Sequence, residues 1–402
     1  MTDPALHTLI VYTSAALLAY TVLWSGLQTF NANPTNRFMR IWLKLALYYA
    51  AYTMPFWAVL LMMVWSQDSV SVSVLGQMPL SLLLVALSLM GLYFYTVVIQ
   101  PNRLRLKHHA IDLDLSTSLK VAVLSDLRIG IYGGKPRHIR KLVTTINAIS
   151  ADAVLITGDW LYYPSADLVG QLMLFKGVNK PVYTVMSTSD LNYQSINTTK
   201  QGQPLLEDTL ASTFDVLDIN YIGQQCTSLP LTSAGSAHKK SAVNTPVKSD
   251  DKGIIEQGNL NRAMVAILCG WQDFPDTNQD SEAASTTDKA TLGAEIANAT
   301  NPVIILGSRF DSVSDLPKAL QPRPLLITGA AKAIQKNIWL AHKQKDIQRS
   351  HEQSTLLNNS RMGKPHGLYQ HASAQIFVSS GIGTRGLPFR LYRPTIDVLT
   401  IR

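Results

Sequence analysis

The stretch that decides the fold is "LKVAVLSDLRIG", residues 119–130, in which a hydrophobic run ends in Ser125-Asp126. A short apolar run of this kind is typical of a buried strand. Helical and strand patterns then alternate along the chain, in "RHIRKLVTTINAIS", "DAVLITGD", "ADLVGQLMLF" and "PVYTVMS". This β-α-β-α-β order favours a parallel sheet, which binds its ligands at the carboxyl ends of the strands.

Carboxylates follow three of these predicted strands. Asp126 closes the first strand, Asp159 follows the second and Asp190 follows the third. Because successive strand ends of one sheet meet at one rim, such carboxylates can bind the two divalent cations used in phosphoryl transfer. Asp also commonly caps the helix or turn after a strand. The spacing alone is therefore compatible with a metal site and equally with residues that cap helices or turns.

Several other classes of site and partner are not expected. "GIGTRG", residues 381–386, matches the dinucleotide fingerprint, but Leu387-Pro388 follow it where that fingerprint needs a helix. The net charge is +8, but the basic residues are scattered, so nucleic-acid binding is not expected. Cys226 and Cys269 form no C-x-x-C motif, and we expect small buried residues rather than metal ligands or a disulfide.

The first hundred residues contain three long apolar stretches, at 6–27, about 41–65 and about 78–98. The first stretch carries no Asp, Glu, Lys or Arg and is long enough to cross a bilayer. Pro55 interrupts the second stretch, and membrane helices tolerate proline. We therefore expect residues 1–100 to form three transmembrane helices.

Basic residues indicate the orientation of these helices. Arg37 and Arg40 lie between the first two stretches, residues 66–77 contain no Lys or Arg, and "PNRLRLKHH" follows the third stretch. Cytoplasmic loops carry an excess of Lys and Arg. The sequence therefore predicts a multi-pass membrane protein whose soluble part is cytoplasmic.

The soluble part consists of a predicted linker at 101–117 and a predicted domain at 118–402. Three polar, low-complexity segments interrupt the domain, at about 231–260, 272–300 and 341–367. Because they contain few large apolar residues, we expect them to be insertions or mobile loops.

The soluble part resembles the calcineurin-like metallophosphoesterases, in particular their bacterial branch with amino-terminal membrane helices. "LKVAVLSDLRIG" resembles that family's S-D-L-H-x-G strand, and "DAVLITGD" resembles its G-D motif. "PVYTVMSTSD", "NPVIILGSRFD" and "LLITGAAKA" stand where the family has G-N-H-D, H-N-P-D and G-H-T-H-G, and "GIGTRGLP" resembles its G-x-G-T-x-G-L-P tail. The resemblance implies a two-sheet β-sandwich flanked by helices, attached to the bacterial inner membrane.

The same resemblance implies that most of the family's dinuclear metal site is lost. Of the seven family ligands, Asp126 and the bridging Asp159 are matched here. The other ligand positions hold Arg128, Thr188, Ser308, Ala330 and Lys332. Ser189 replaces the family's proton-donating histidine, and Asp190 matches a supporting residue. Two of seven ligands cannot build the two-metal centre, so no cofactor is expected.

Three functions follow as alternatives. The first is a binding or scaffolding pseudoenzyme, with the lipid bilayer and an unidentified protein or phosphate-containing ligand as partners. The second is a divergent hydrolase of phosphoesters near the membrane, such as lipid headgroups. It would use one Mn, Fe or Zn ion held by Asp126, Asp159 and a histidine from His342, His351, His366 or His371. In the third, the soluble domain only stabilises or assembles the membrane helices.

Two of the lost ligand positions have become basic, at Arg128 and Lys332. Two carboxylates about 4 Å apart repel each other by roughly 4 kcal/mol at an effective dielectric constant near 20. We therefore predict that these two cations replace the metals and neutralise Asp126 and Asp159 through charge-assisted hydrogen bonds. In the alternative, both basic side chains extend into solvent.

Overall fold

The computed structural model describes thirteen stretches of the chain: residues 4–31, 38–66, 80–115, 117–164, 167–192, 206–230, 264–271, 291–299, 301–308, 323–329, 366–371, 374–384 and 387–402. The predicted insertion at 231–260 lies outside these residues, as do Ala330, Lys332, His342 and His351.

Three long helices lie where the sequence predicts apolar stretches: α1 (Pro4–Asn31), α2 (Phe38–Ser66) and α3 (Leu80–Phe94). α2 packs against both of the others. A single π-helical turn and a short 3₁₀ turn extend α3 to Asn102. Among the described residues, the segments Thr8–Phe30 and Leu84–Asn102 are long and apolar enough to cross a membrane.

The remaining described residues form an α/β arrangement with mixed sheets. The strands are β1 (Arg105–Ile111), β2 (Leu119–Leu124), β3 (Ile129–Gly130), β4 (Ala153–Ile156), β5 (Leu161–Tyr162), β6 (Val182–Thr184), β7 (Ile219–Tyr221), β8 (Cys226–Pro230), β9 (Met264–Trp271), β10 (Val303–Gly307), β11 (Leu325–Gly329), β12 (Gly367–Gln370), β13 (Gln375–Ser379) and β14 (Thr395–Ile401). The helices are α4 (Pro136–Ala148), α5 (Leu168–Leu172), α6 (Thr188–Asn192) and α7 (Leu206–Val216), with a further helical segment at 291–297.

The first sheet has the strand order β1-β14-β2-β4-β6-β7. β2, β4 and β6 are parallel neighbours, which confirms the predicted β-α-β-α-β order. β14 lies antiparallel to β2 and parallel to β1. The predicted linker at 101–117 was wrong in this respect, since it contains the edge strand β1. No local pattern predicted β1, because its partner β14 is almost three hundred residues away.

The second sheet has the strand order β12-β13-β11-β10-β9-β8. Its central strands are parallel, and each edge strand pairs antiparallel with its neighbour. One apolar cluster contains side chains of both sheets, among them Val123, Leu155, Ile304 and Phe377. A second cluster lies on the other face of the first sheet and includes α4, which carries a buried Ile139.

The predicted insertion at 272–300 ends in the helical segment at 291–297. Leu292 and Ile296 of this segment are buried in an apolar cluster with side chains of the second sheet. The two residues are four positions apart and therefore share one face of the helix. This part of the segment is packed, which composition averaged over a longer window did not show.

Cys226 and Cys269 are bonded to each other in a disulfide. They lie directly opposite each other in the antiparallel pair of β8 and β9. The expectation that they form no disulfide was wrong. A strand register between residues 43 positions apart sets this pairing, and spacing in the sequence does not show register.

Candidate functional site

The two matched carboxylates lie on loops that leave neighbouring strands. Asp126 follows β2, and Asp159 follows β4. Asp126, Arg128 and Asp159 all have left-handed backbone conformations, with φ of 52°, 49° and 52°. This conformation is uncommon for residues other than glycine, and Asp tolerates it better than Arg. Strained backbone of this kind concentrates at functional sites.

The guanidinium of Arg128 bridges the two carboxylates. Its Nε donates to Oδ1 of Asp126 at 3.0 Å, and its Nη2 donates to the same oxygen. Nη2 also donates to Oδ2 of Asp159 at 3.0 Å. All three side chains are buried. The predicted contact of Arg128 with both carboxylates is therefore confirmed, whereas the predicted contact of Lys332 lies outside the described residues.

The charges in this cluster shift the pKa values of Asp159 and Arg128. Burial alone would raise the pKa of Asp159, but the Arg128 cation and the hydroxyls of Ser187 and Ser189 lower it to about 2. Burial alone would lower the pKa of Arg128, and the two carboxylates raise it instead. The ion pairs therefore hold Arg128 charged and Asp159 ionised at neutral pH.

Ser189 and Asp190 belong to α6, the short helix that follows β6 at the same rim. Ser189 Oγ donates to Oδ1 of Asp159. Asp190 accepts hydrogen bonds from the backbone nitrogens of Leu161, at 2.9 Å, and Ser187, at 3.0 Å. Burial and the Asp159 charge raise the pKa of Asp190 to about 6. Asp190 therefore holds two loops together.

Two further candidate residues that the resemblance indicated, Thr188 and Ser308, are described and buried. Thr188 is the first residue of α6, and Ser308 directly follows β10. The buried hydroxyl oxygen of Ser308 has no hydrogen-bond partner among the described residues.

The glycine-rich tail packs directly against Asp126. Gly383 N donates to the carbonyl oxygen of Asp126 at 2.6 Å. Gly381 has φ of +76°, and a Cβ built there would lie 2.8 Å from Asp126 Oδ2. The buried guanidinium of Arg390 donates to the carbonyls of Ile382, at 2.9 Å, and Gly381, at 2.5 Å. Sequence reasoning identified the glycines but missed Arg390, whose only signal was a cation in the apolar stretch "LPFRLYRP".

The described histidines do not support the alternative one-metal site. His366 Nε2 lies 3.1 Å from Asp397 Oδ1, so this histidine belongs to a different cluster. His371 follows β12, and its backbone nitrogen donates to the carbonyl of Ala374 at 2.9 Å.

Tyrosine and lysine side chains connect the domain to α2. Lys44 Nζ donates to the hydroxyl of Tyr162 at 2.5 Å. Lys135 Nζ lies 3.2 Å from the hydroxyl of Tyr48 and 5.0 Å from the centre of its ring. Tyr162 comes three residues after Asp159 in the chain. The contact between α2 and the domain is therefore adjacent to the bridged carboxylates.

Comparisons with known proteins add little to this geometry. No protein-family model and no curated protein matches the chain. Among solved structures, the chain is similar to the crystal structure of phosphopantetheinyl hydrolase (PptH) from Mycobacterium tuberculosis, with 11% sequence identity and a TM-score of 0.33. The match covers 65% of this chain and 90% of that one. At this level of similarity the function has to be argued from the site.

Proposed function

We propose that the protein is a membrane-anchored, calcineurin-like phosphoesterase relative that has lost its metal centre and acts as a binding or scaffolding module. The observation that carries this proposal is the double ion pair of Arg128 with Asp126 and Asp159. A permanent cation is hydrogen-bonded to the oxygens with which the family holds its metals. The residues present therefore do not fit a dinuclear metal site.

Electrostatics support the same conclusion. Without a cation, two buried carboxylates that converge would either share a proton or bind a metal. Arg128 supplies one positive charge in a fixed planar geometry that suits carboxylates. A divalent ion placed beside it would meet a buried like charge and only two of the family's ligands. Phosphoester hydrolysis of the two-metal type has no support from this cluster.

The two sheets and the long helices support a β-sandwich domain that is anchored in a membrane. The two sheets share the apolar cluster that contains Val123 and Ile304, as the two layers of a β-sandwich would. α2 is 29 residues long, and its residues 53–66, beyond the contacts of Tyr48 and Tyr52 with the domain, contain no Asp, Glu, Lys or Arg. We therefore include α2 with the other two helices as a third membrane span. The lipid bilayer is then one partner, and a protein or a phosphate-containing ligand is the other.

The proposed side of the membrane is the cytoplasm, in a bacterial inner membrane protein. Basic residues beside the first loop and after the third helix support this orientation. The disulfide between Cys226 and Cys269 favours the opposite side, because disulfides persist in oxidising compartments. The disulfide therefore argues against the proposed side, which would require Cys226 and Cys269 to be reduced.

The full chain purified in detergent tests the proposal. The measurements are the Mn, Fe and Zn content and the turnover of bis(p-nitrophenyl) phosphate, for the natural protein and for Asp159→Asn. We expect no turnover and the same metal content in both proteins. Near-stoichiometric metal and measurable turnover, both lost in Asp159→Asn, would instead establish the divergent hydrolase. Metal bound elsewhere in the chain is present in both proteins, so the difference between them reports only the metal held by Asp159.

A further inference from the structure

A second cluster of metal-ligating side chains lies where the edges of the two sheets meet. His109 is on β1, the edge strand of the first sheet, and His366 directly precedes β12, the edge strand of the second. Asp397 is on β14 and is fully buried. Their ligand atoms, one from each side chain, all lie within 4.8 Å of one another.

The two distances between histidine nitrogen and carboxylate oxygen suit the ligands of a tetrahedral zinc ion as well as hydrogen bonds. His109 Nε2 lies 3.3 Å and His366 Nε2 lies 3.1 Å from the same oxygen, Asp397 Oδ1. Zinc bonds of about 2.0 Å in tetrahedral geometry separate two ligand atoms by about 3.3 Å. Zinc would replace the two Nε2 protons, as its binding to histidine requires.

The surroundings orient these side chains. Ser379 Oγ donates to the other oxygen, Asp397 Oδ2, at 2.8 Å. The Phe377 ring packs against both imidazoles, with ring centres 5.0 Å from His109 and 6.1 Å from His366. The side chains of the two histidines are 26% and 17% exposed, which leaves a solvent-facing side for a fourth ligand such as water. Outer partners of this kind fix metal ligands in place.

We propose that His109, His366 and Asp397 bind a zinc ion that joins the edges of the two sheets. Two imidazoles and one carboxylate form a ligand set that zinc accepts and that magnesium and calcium do not prefer. Because one histidine comes from each sheet, the ion stabilises the arrangement of the sheets. This site uses no residue of the Arg128 cluster and does not depend on whether that cluster is catalytic.

One neighbouring group opposes metal binding. Lys107 Nζ lies 3.5 Å from Nδ1 of His366. A charged lysine there repels a divalent ion and competes for the imidazole. Replacing this lysine by methionine, which keeps most of the apolar stem, is therefore expected to increase zinc affinity several-fold. Weaker binding by Lys107→Met than by the natural protein would contradict the proposed position of the ion.

The test uses the full chain in detergent, stripped with a chelator, and titrated with Zn²⁺ and with Co²⁺ as a spectroscopic probe. We expect one equivalent of Co²⁺ to give the intense visible absorption of a tetrahedral site and Zn²⁺ to displace it. Zn²⁺ should also raise the melting temperature. His366→Gln should abolish both effects, and Ser379→Ala should weaken zinc binding by about 10- to 100-fold.

The matched control is His108→Ala. His108 is the neighbour of His109 on β1, and its exposed side chain points to the opposite face of the strand. The His108→Ala variant should bind zinc like the natural protein. Equal losses in His108→Ala and His366→Gln, or no tetrahedral cobalt spectrum in the natural protein, would overturn the proposal. Because Ser379→Ala keeps all three ligands, it provides an answer even where His366→Gln does not fold.

Discussion

Nη2 of Arg128 lies 3.0 Å from Oδ2 of Asp159, although the two residues are 31 positions apart in the chain. The backbone reinforces this contact, because Arg128 N donates to the carbonyl oxygen of Asp159 at 3.0 Å. The loops after β2 and β4 are thus joined by both a main-chain hydrogen bond and an ion pair. These two contacts make the rim at the ends of β2 and β4 a structural element of the fold.

Removal of the Arg128 side chain should destabilise the domain strongly. Arg128→Ala leaves two buried carboxylates without their cation, which typically costs about 3–5 kcal/mol. The measurement is the free energy of unfolding in urea, with Arg140→Ala, an exposed arginine of α4, as the control. Arg140→Ala should change stability by less than about 0.5 kcal/mol.

A double-mutant cycle separates the ion pair from general packing. Asp126→Ala removes one of the two carboxylates that Arg128 bridges, so the combined variant should lose less than the sum of the two single losses. Strictly additive losses would show that the ion pair is not energetically coupled. They would also remove the physical basis of the proposed replacement of metal by arginine.

The tail glycine Gly381 should not tolerate a side chain. It combines φ of +76° with a close approach, because a Cβ would lie 2.8 Å from Asp126 Oδ2. Gly223 has φ of +56° but its nearest contact is 3.7 Å, so Gly223→Ala reports the backbone cost alone, about 1–2 kcal/mol. We expect Gly381→Ala to be clearly more destabilising in thermal unfolding. Equal effects would mean that Asp126 moves away without cost.

Asp397 should make stability depend on pH in the acid range. Burial alone would raise its pKa, but hydrogen bonds from His109, His366 and Ser379 lower it to about 2. The unfolded value is about 3.9. A depressed carboxyl pKa stabilises the fold above pH 4, and this contribution, at most about 2.5 kcal/mol, is lost as the pH falls from 4 towards 2.

Unfolding of chelator-treated protein between pH 2 and 5 measures this effect. Asp397→Asn should be less stable at pH 5 but should lose less stability on acidification than the natural protein. The control is Asp112→Asn, because the Asp112 side chain is 77% exposed. An unchanged acid slope in Asp397→Asn would contradict the assigned pKa.

Lys135 should connect the domain to α2. Its Nζ lies 3.2 Å from the Tyr48 hydroxyl and 4.9 Å from the centre of the Tyr52 ring. Lys135→Ala removes a hydrogen bond and a cation–π contact, which together are worth about 1–2 kcal/mol. Arg137→Ala, two residues further on and exposed, is the control. Urea unfolding in detergent that fails to distinguish the two variants would mean that this contact contributes nothing.

The oxidation state of Cys226 and Cys269 should report on which side of the membrane the domain lies. For a cytoplasmic domain, an alkaline phosphatase fusion after residue 110 should be inactive, and Cys226 and Cys269 should react with a maleimide after rapid denaturation in acid. An active fusion with both cysteines protected would place the domain outside. The two readouts are independent, since one depends on export of the fusion and the other on the disulfide.

The sequence by itself determined the elements that rest on local patterns. Continuous apolar runs predicted β2, β4 and β6, because strands that are buried on both faces require such runs. A longer run without charged residues predicted α1. The order of those runs also predicted that Asp126 and Asp159 meet at one rim. The contact of Arg128 with the two carboxylates was predicted from the resemblance, which places Arg128 at the position of a metal ligand.

Contacts between segments that are far apart in the sequence are seen only in the tertiary structure. β1 was assigned to a linker because its hydrogen-bond partner is β14, at the far end of the chain. The disulfide between Cys226 and Cys269 follows from strand register, and no spacing rule contains register. The cluster of His109, His366 and Asp397 forms because the edges of two sheets come together. These contacts join segments far apart in sequence, so only the folded chain specifies them.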